Sequence, residues 1–168
     1  MKKNIMAGAL ALAVSGYAAA DDRLAKFEGG IGVIPVSSGQ GTDATATVVN
    51  RNIVRGVQPA GQIWVIRELE AEVEASGSIQ VKGRGLLLGG GNAIGMSNGL
   101  RVFATLICEA AAPFTERSTT AAGVQLDANG DFQIEDTLSS VPAECASPVL
   151  LIRNAANRAW FAAGIPKR

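Results

Sequence analysis

The 168-residue chain contains no histidine. Without an imidazole there is no Ser-His-Asp or Cys-His catalytic arrangement, no histidine general base and none of the usual histidine-bearing zinc sites. The chain also lacks an excess of charge of either sign, with 15 Lys plus Arg against 15 Asp plus Glu. That excludes the basic surplus with which nucleic-acid-binding domains displace counterions from phosphate. Aromatic residues make up only 5%, too few to line a long sugar cleft between paired carboxylates. No apolar run has the length of a membrane-spanning helix.

What is present begins with an export pattern. Met1-Lys2-Lys3-Asn4 is a short basic start, Ile5 to Val14 is an apolar stretch, and Ala18-Ala19-Ala20 is a small-residue cleavage site before Asp21. The order is that of a secretory signal peptide over residues 1–20, cleaved after Ala20. Residues 21–168 then form a single domain, periplasmic or secreted, with no membrane span. Removal of residues 1–20 takes Lys2 and Lys3 and no acid, so the exported chain carries 13 bases against 15 acids. Cys108 and Cys145 are the only cysteines, and in an oxidising compartment an even pair reads as a disulfide. The loop between them is long, and on the chain-entropy account its closure contributes about 4 kcal/mol. A redox pair would instead show Cys-x-x-Cys spacing.

Turn residues recur every eight to fifteen positions, and the segments between are rich in Val, Ile, Leu and Thr, which predicts short strands. Glu68 to Glu74 has good helix propensity, but its strict alternation of Glu with Leu69, Ala71 and Val73 has the period of a strand. Ser78-Ile79-Gln80-Val81-Lys82-Gly83-Arg84 alternates too. With Ala75-Ser76-Gly77 as the loop, Val73 faces Ile79 and Ala71 faces Val81, while Glu70 meets Lys82, Glu68 meets Arg84 and Glu72 meets Gln80. A second hairpin is expected around Ala128-Asn129-Gly130, with Leu126 opposite Phe132, Val124 opposite Ile134 and Gln125 opposite Gln133. Further strands are expected at 31–36, 45–49, 52–57, 100–108, 149–153 and 159–163. The runs 63–66 and 86–88 are apolar on both faces and should be covered on both sides. The expected fold is therefore all-β, a single antiparallel β-sandwich of Ig-like or related type, with a closed β-barrel as the alternative.

Several motifs invite chemistry. Gly95-Met96-Ser97-Asn98-Gly99 matches the G-x-S-x-G nucleophile elbow, but a strand pattern follows it where a helix is required, and no histidine exists to take the serine proton. The glycine-rich run 83–95 has neither phosphate-loop spacing. Asp127, Asn129 and Asp131 resemble the start of a calcium loop, yet the glycine, Gly130, falls at the fourth position where that loop has it at the sixth, and Leu138 takes the place of its closing Glu, so they are a weak candidate metal site within a turn. No catalytic residue and no cofactor is assigned. Trp64 and Trp160, if exposed, could bind sugar.

Phe27 to Val36 (FEGGIGVIPV), Arg55 to Trp64 (RGVQPAGQIW), Val102 to Cys108 (VFATLIC) and Trp160 to Pro166 (WFAAGIP) together resemble a group of small exported bacterial all-β proteins with no known activity. The resemblance implies export and a single β domain, and it brings no site residue. The expected role is non-enzymatic: binding an unknown protein or cell-envelope component, or a structural task. The competing expectation is a hydrolase or isomerase that works with carboxylates alone, using Glu109, Glu116, Asp136 or Glu144 in or beside the long loops. Mass spectrometry of the exported protein should give an N-terminus at Asp21 and no alkylatable thiol. A retained leader or two free thiols would overturn the export and disulfide expectations respectively.

Overall fold

The computed structural model describes residues 22–40 and 48–167. The leader and its cleavage site lie outside the described residues, as does most of the expected strand at 45–49. The chain forms antiparallel β-structure: β1 Arg23–Gly32, β2 Val36–Gln40, β3 Val48–Arg51, β4 Trp64–Val65, β5 Glu68–Glu74, β6 Ser78–Arg84, β7 Leu87–Leu88, β8 Arg101–Ile107, β9 Arg117–Ser118, β10 Val124–Gln125, β11 Phe132–Thr137, β12 Val149–Asn154 and β13 Trp160–Lys167. The main sheet runs β10-β8-β12-β13-β1-β5-β6-β11, with β9 also on β8, while β2-β3 and β4-β7 are separate two-stranded ribbons. The two end strands are consecutive in the chain and joined by a tight turn. The sheet is therefore a barrel closed except along one seam, which fits the barrel alternative better than the sandwich.

Closing one sheet on itself requires bends, and the register shifts supply them. They fall between Phe27 and Gly30 on β1, again on β1 between Arg23 and Ala25, and on β13 between Trp160 and Ala162, where two steps face the single step from Ile152 to Arg153 on β12. Gly29, at the first, has φ +90, a left-handed conformation that glycine adopts without a steric penalty. The inward residues of β1, β5, β6, β8, β11 and β12 are apolar: Phe27, Leu69, Ala71, Val73, Ile79, Val81, Leu106, Ile134, Leu150 and Ile152 are all buried in one cluster.

The β5–β6 hairpin has the expected register at every rung, from Glu68 opposite Arg84 to Val73 opposite Ile79. The second hairpin corrects its expectation. Val124 pairs with Val102 of β8, and Ile134 pairs with Val81 of β6, so the two arms of the turn belong to opposite ends of the sheet. The arms meet only at their extremities. At the tip the Asp127 N–H donates to the Asp131 carbonyl at 3.0 Å. At the far end the Ser139 N–H donates to the Ser118 carbonyl at 2.9 Å, and the Thr120 N–H donates to the Asp136 carboxylate at 2.7 Å. The cause of the parting is a bulge on the outer edge of β8. Ser118 pairs with Thr105 and Val124 with Val102, so six steps on one strand oppose three on the other.

Two further expectations change. Residues 52–57 make a tight turn and not a strand, with Val54 and Val57 bridged across Arg55 and Gly56, both at positive φ. The strands buried on both faces are β8 and β12, and on their outer side the guanidinia of Arg153 and Arg158 flank the Phe103 ring. The runs expected to be doubly covered, 63–66 and 86–88, are buried on one side only: Trp64, Leu86 and Leu88 are inside, whereas Ile63 and Val65 are exposed.

Beside the seam, the Phe132 ring occupies the space over Gly83, where an added Cβ would lie 2.1 Å from a ring carbon. Gly83→Ala should therefore cost about 1–3 kcal/mol by overpacking. Chemical unfolding of the double variant with Phe132→Ala checks this, since the alanine at 83 should cost much less once the ring is gone. Equal costs in both backgrounds would show that the ring does not set the constraint.

Candidate functional site

The four carboxylates that could have served a hydrolase are not assembled into one site. Glu109 follows β8 and accepts the Thr115 N–H at 3.2 Å, with the Arg117 guanidinium 2.9 Å from its other oxygen. The Thr115 N–H, helped by the backbone N–H of Glu109 itself and by Arg117, holds its pKa down at about 2, against an ordinary 4.5, and outweighs the opposing effect of desolvation. Glu116 lies 2.6 Å from Nη1 of Arg153, a guanidinium whose side chain is only 6% exposed. The same Nη1 donates to Thr105 Oγ1 at 3.3 Å, and Nε donates to the Arg158 carbonyl at 2.7 Å. A buried guanidinium is costly unless its N–H groups are satisfied, so Glu116 compensates a charge that the fold has desolvated. Asp136 accepts N–H bonds from Thr120 and Thr137, and these lower its pKa. Glu144 is exposed in the loop that carries Cys145. Carboxylates held ionised by donors are poor general acids, because the proton they would give is already gone at neutral pH.

The weak cation candidate is likewise committed to its turn. Asp131 Oδ1 accepts the Gly85 N–H at 3.0 Å and Oδ2 accepts Asn129 Nδ2 at 3.0 Å, with Arg67 4.0 Å away. Among the described residues no group of three or more Cys, Asp or Glu side chains converges as cation ligands. Ser97 of the elbow-like motif is buried, and its Oγ accepts the Gly99 N–H at 3.4 Å, as in a turn. Trp64 and Trp160 are both buried, Trp64 stacked on Phe161 with ring centroids 4.1 Å apart, so the sugar-binding reading on these rings is withdrawn. The aromatic count alone could not separate exposed rings from core ones.

Cys108 and Cys145 form a disulfide, which accords with an oxidising compartment. It ties the end of β8 to the loop that crosses from β11 to β12. Arg55 reinforces the same junction, donating to the Ile107 carbonyl at 3.0 Å, to the Ser147 carbonyl at 2.6 Å and to Ser147 Oγ at 2.6 Å. Its guanidinium carbon also sits 5.7 Å from the centre of the Phe114 ring. This role for Arg55 has no local signature, because its partners are more than 50 residues away in the chain.

One concave feature among the described residues is apolar. Ile34, Pro35, Val36, Gly61, Gln62, Ile63, Gly90 and Gly91 line an open groove of about 400 Å³. Three chain segments build it: the exit from β1, the approach to β4 and the exit from β7. The Trp64 N–H donates to the Val33 carbonyl at 3.1 Å and the Gly89 N–H to the Ile63 carbonyl at 2.9 Å, so the three segments are laced together by backbone bonds. Gly89 is needed where it stands, since a Cβ there would come within 2.9 Å of both Ile63 and Val65. Ile34 is 58% exposed, Val65 47% and Ile63 42%. Gln62 supplies the one side-chain amide, and no charged residue lines the groove.

The depressed Glu109 pKa fixes a pH dependence. Because the folded pKa lies below the unfolded one, the carboxylate contributes stability that is complete above pH 4.5 and lost as the pH falls toward about 2. Thermal unfolding followed over that window should show the midpoint falling less steeply with pH in Glu109→Gln than in the native chain. Parallel curves would deny Glu109 this role.

Comparison of the chain with protein-family models, with curated proteins and with solved structures found no match, so the functional reading rests on the residues themselves.

Proposed function

We propose that this chain is an exported, non-enzymatic binding protein of the bacterial envelope or exterior, whose partner docks on the bare side of the β4–β7 ribbon and the adjoining groove. One observation carries the reading: β4 and its approach are apolar on both faces, yet the described residues bury only the Trp64 side and leave Ile63 and Val65 outward. A run apolar on both faces is the pattern of a strand covered twice. Ile34 and Val36 extend the same surface, and large exposed apolar patches mark interaction sites in soluble proteins. The partner's complementary feature is uncharged and apolar, matching a lining without a charged side chain, and a protein surface supplies that chemistry. The disulfide and the leader pattern support export.

The alternative, a carboxylate hydrolase or isomerase, loses ground because Glu109, Glu116 and Asp136 are each engaged by donors that a catalytic cycle would have to break. Anilinonaphthalene sulfonate, an apolar fluorescent probe, should bind the native chain saturably, with affinity at least about fivefold weaker in Ile63→Asp. The unfolding midpoint of that variant should stay close to native, as expected for an exposed position. Probe binding that is unaltered by the substitution rejects the groove. Turnover of an ester, amide or glycoside that disappears in Glu109→Gln, Glu116→Gln, Asp136→Asn or Glu144→Gln would replace binding with catalysis.

A further inference from the structure

The chain contains two Asn-Gly steps in turns, Asn98-Gly99 and Asn129-Gly130, and their surroundings differ sharply. Asn-Gly is the sequence most open to backbone attack on a side-chain amide, because glycine places no Cβ in the way of its own nitrogen. At the second step that attack is blocked. The Gly130 N–H is donated to the Asp127 carbonyl at 2.9 Å, and the Gly130 carbonyl accepts the Leu86 N–H at 2.9 Å. Both ends of the Asn129 amide are used as well, Nδ2 donating to Asp131 Oδ2 and Oδ1 accepting the Asp131 N–H at 3.3 Å. Gly130 is buried against Leu86, where an added Cβ would meet backbone at 2.5 Å.

The first step has none of these restraints. Asn98 and Gly99 are both exposed. Asn98 sits at φ +54, in the left-handed region that a side-chain-bearing residue rarely holds. The Gly99 N–H is held only by the long 3.4 Å bond to Ser97 Oγ, and the nearest atom to a Cβ at Gly99 is Gln125 Nε2 at 3.6 Å. The loop can therefore rotate about Asn98 without breaking a strand ladder.

We infer that Asn98 is a site of spontaneous covalent modification in the folded protein, and that Asn129 is protected from it. The Gly99 nitrogen bonds to Cγ of Asn98, the bond from Cγ to Nδ2 breaks, and ammonia leaves carrying the proton from the Gly99 nitrogen. Water then opens the resulting succinimide at either carbonyl, giving an aspartyl or an isoaspartyl residue. The reaction needs no reagent but water. Each event adds one negative charge, and the isoaspartyl product lengthens the main chain by one methylene. The position matters, because the Ser97 carbonyl accepts the Leu100 N–H at 3.4 Å and the Leu100 carbonyl accepts the Leu126 N–H at 2.8 Å. A longer main chain there loosens the edge at which β10 joins β8, beside the seam.

The test is peptide mapping of the intact protein after prolonged incubation at neutral pH. Trypsin separates the two sites, since cleavage after Arg84 and Arg101 isolates Asn98, and cleavage after Arg117 and Arg153 isolates Asn129. In the folded chain the amide-to-acid mass change should accumulate at Asn98 about tenfold or more faster than at Asn129, because attack at the latter waits for local opening. In the reduced, denatured chain the two rates should come within about twofold, since only the fold distinguishes them. Comparable rates in the folded protein, or an Asn98 that stays unmodified while the denatured chain reacts, would overturn the inference. Asn98→Gln, which cannot form the five-membered ring readily, should abolish the change in the first peptide, and a change that persists there would place the reaction at another residue.

Discussion

Every part of this molecule depends on bending one antiparallel sheet around a single apolar core. A flat sheet of this size would leave one apolar face in water, and two packed sheets would need a second set of inward residues. The chain has one set, spread over β1, β5, β6, β8, β11 and β12, and closing the sheet buries it. Closure needs irregularity. The bulges on β1 and β13 turn the corners, and the bulge between β9 and β10 leaves the last junction without a ladder. What holds the seam is a few bonds at its ends: the Asp127 N–H to the Asp131 carbonyl at the tip, and at the far end the Ser139 N–H to the Ser118 carbonyl with the Thr120 N–H to the Asp136 carboxylate.

The polar groups that looked available for chemistry in the sequence are mostly consumed in securing this closure. Arg153 lies on the outer side of β12, where Phe103, Thr105 and Glu116 surround it. Removing Glu116 would leave a desolvated guanidinium short of a countercharge, which is why the pair cannot be read as a loose surface bridge. Arg55 performs the corresponding task beside the disulfide by donating to carbonyls, so its charge is met by dipoles and not by an acid. In both cases a basic side chain stitches a long loop to strands far away in sequence. A barrel with extended crossing connections has few other means of fixing them.

Legibility in the sequence followed range. The β5–β6 register was readable to the residue because alternation, charge pairing and the Gly77 turn all act within 17 residues. The turn at Asp127 to Asp131 was equally readable as a turn, but the fate of its arms was not. Whether Val124 pairs with Ile134 or with Val102 depends on the bulge at 119–123 and on which edge β6 leaves open, and neither is a local property. The two tryptophans show the same limit. Their period and neighbours allowed an exposed position, and only the stacking of Trp64 on Phe161 places the former in the core. Of the candidate carboxylates, the sequence located the loops correctly, while the arginines that neutralise Glu109 and Glu116 became visible only in three dimensions.

The absence of histidine and the position of the bare apolar face bear on function together. An enzyme without histidine can still use carboxylates, but it must keep at least one of them free to gain or lose a proton near neutrality, usually by burial away from positive charge. Here the shifts run the other way: Glu28, Glu109 and Asp136 are all pushed toward permanent ionisation by ion pairs or N–H donors. Those groups stabilise a scaffold. Among the described residues, Ile34, Val36, Ile63 and Val65 form an apolar surface that the scaffold leaves uncovered, and none of these side chains could move a proton. Apolar area left uncovered in this way offers contact and not proton transfer, which is the physical ground for proposing a binding role.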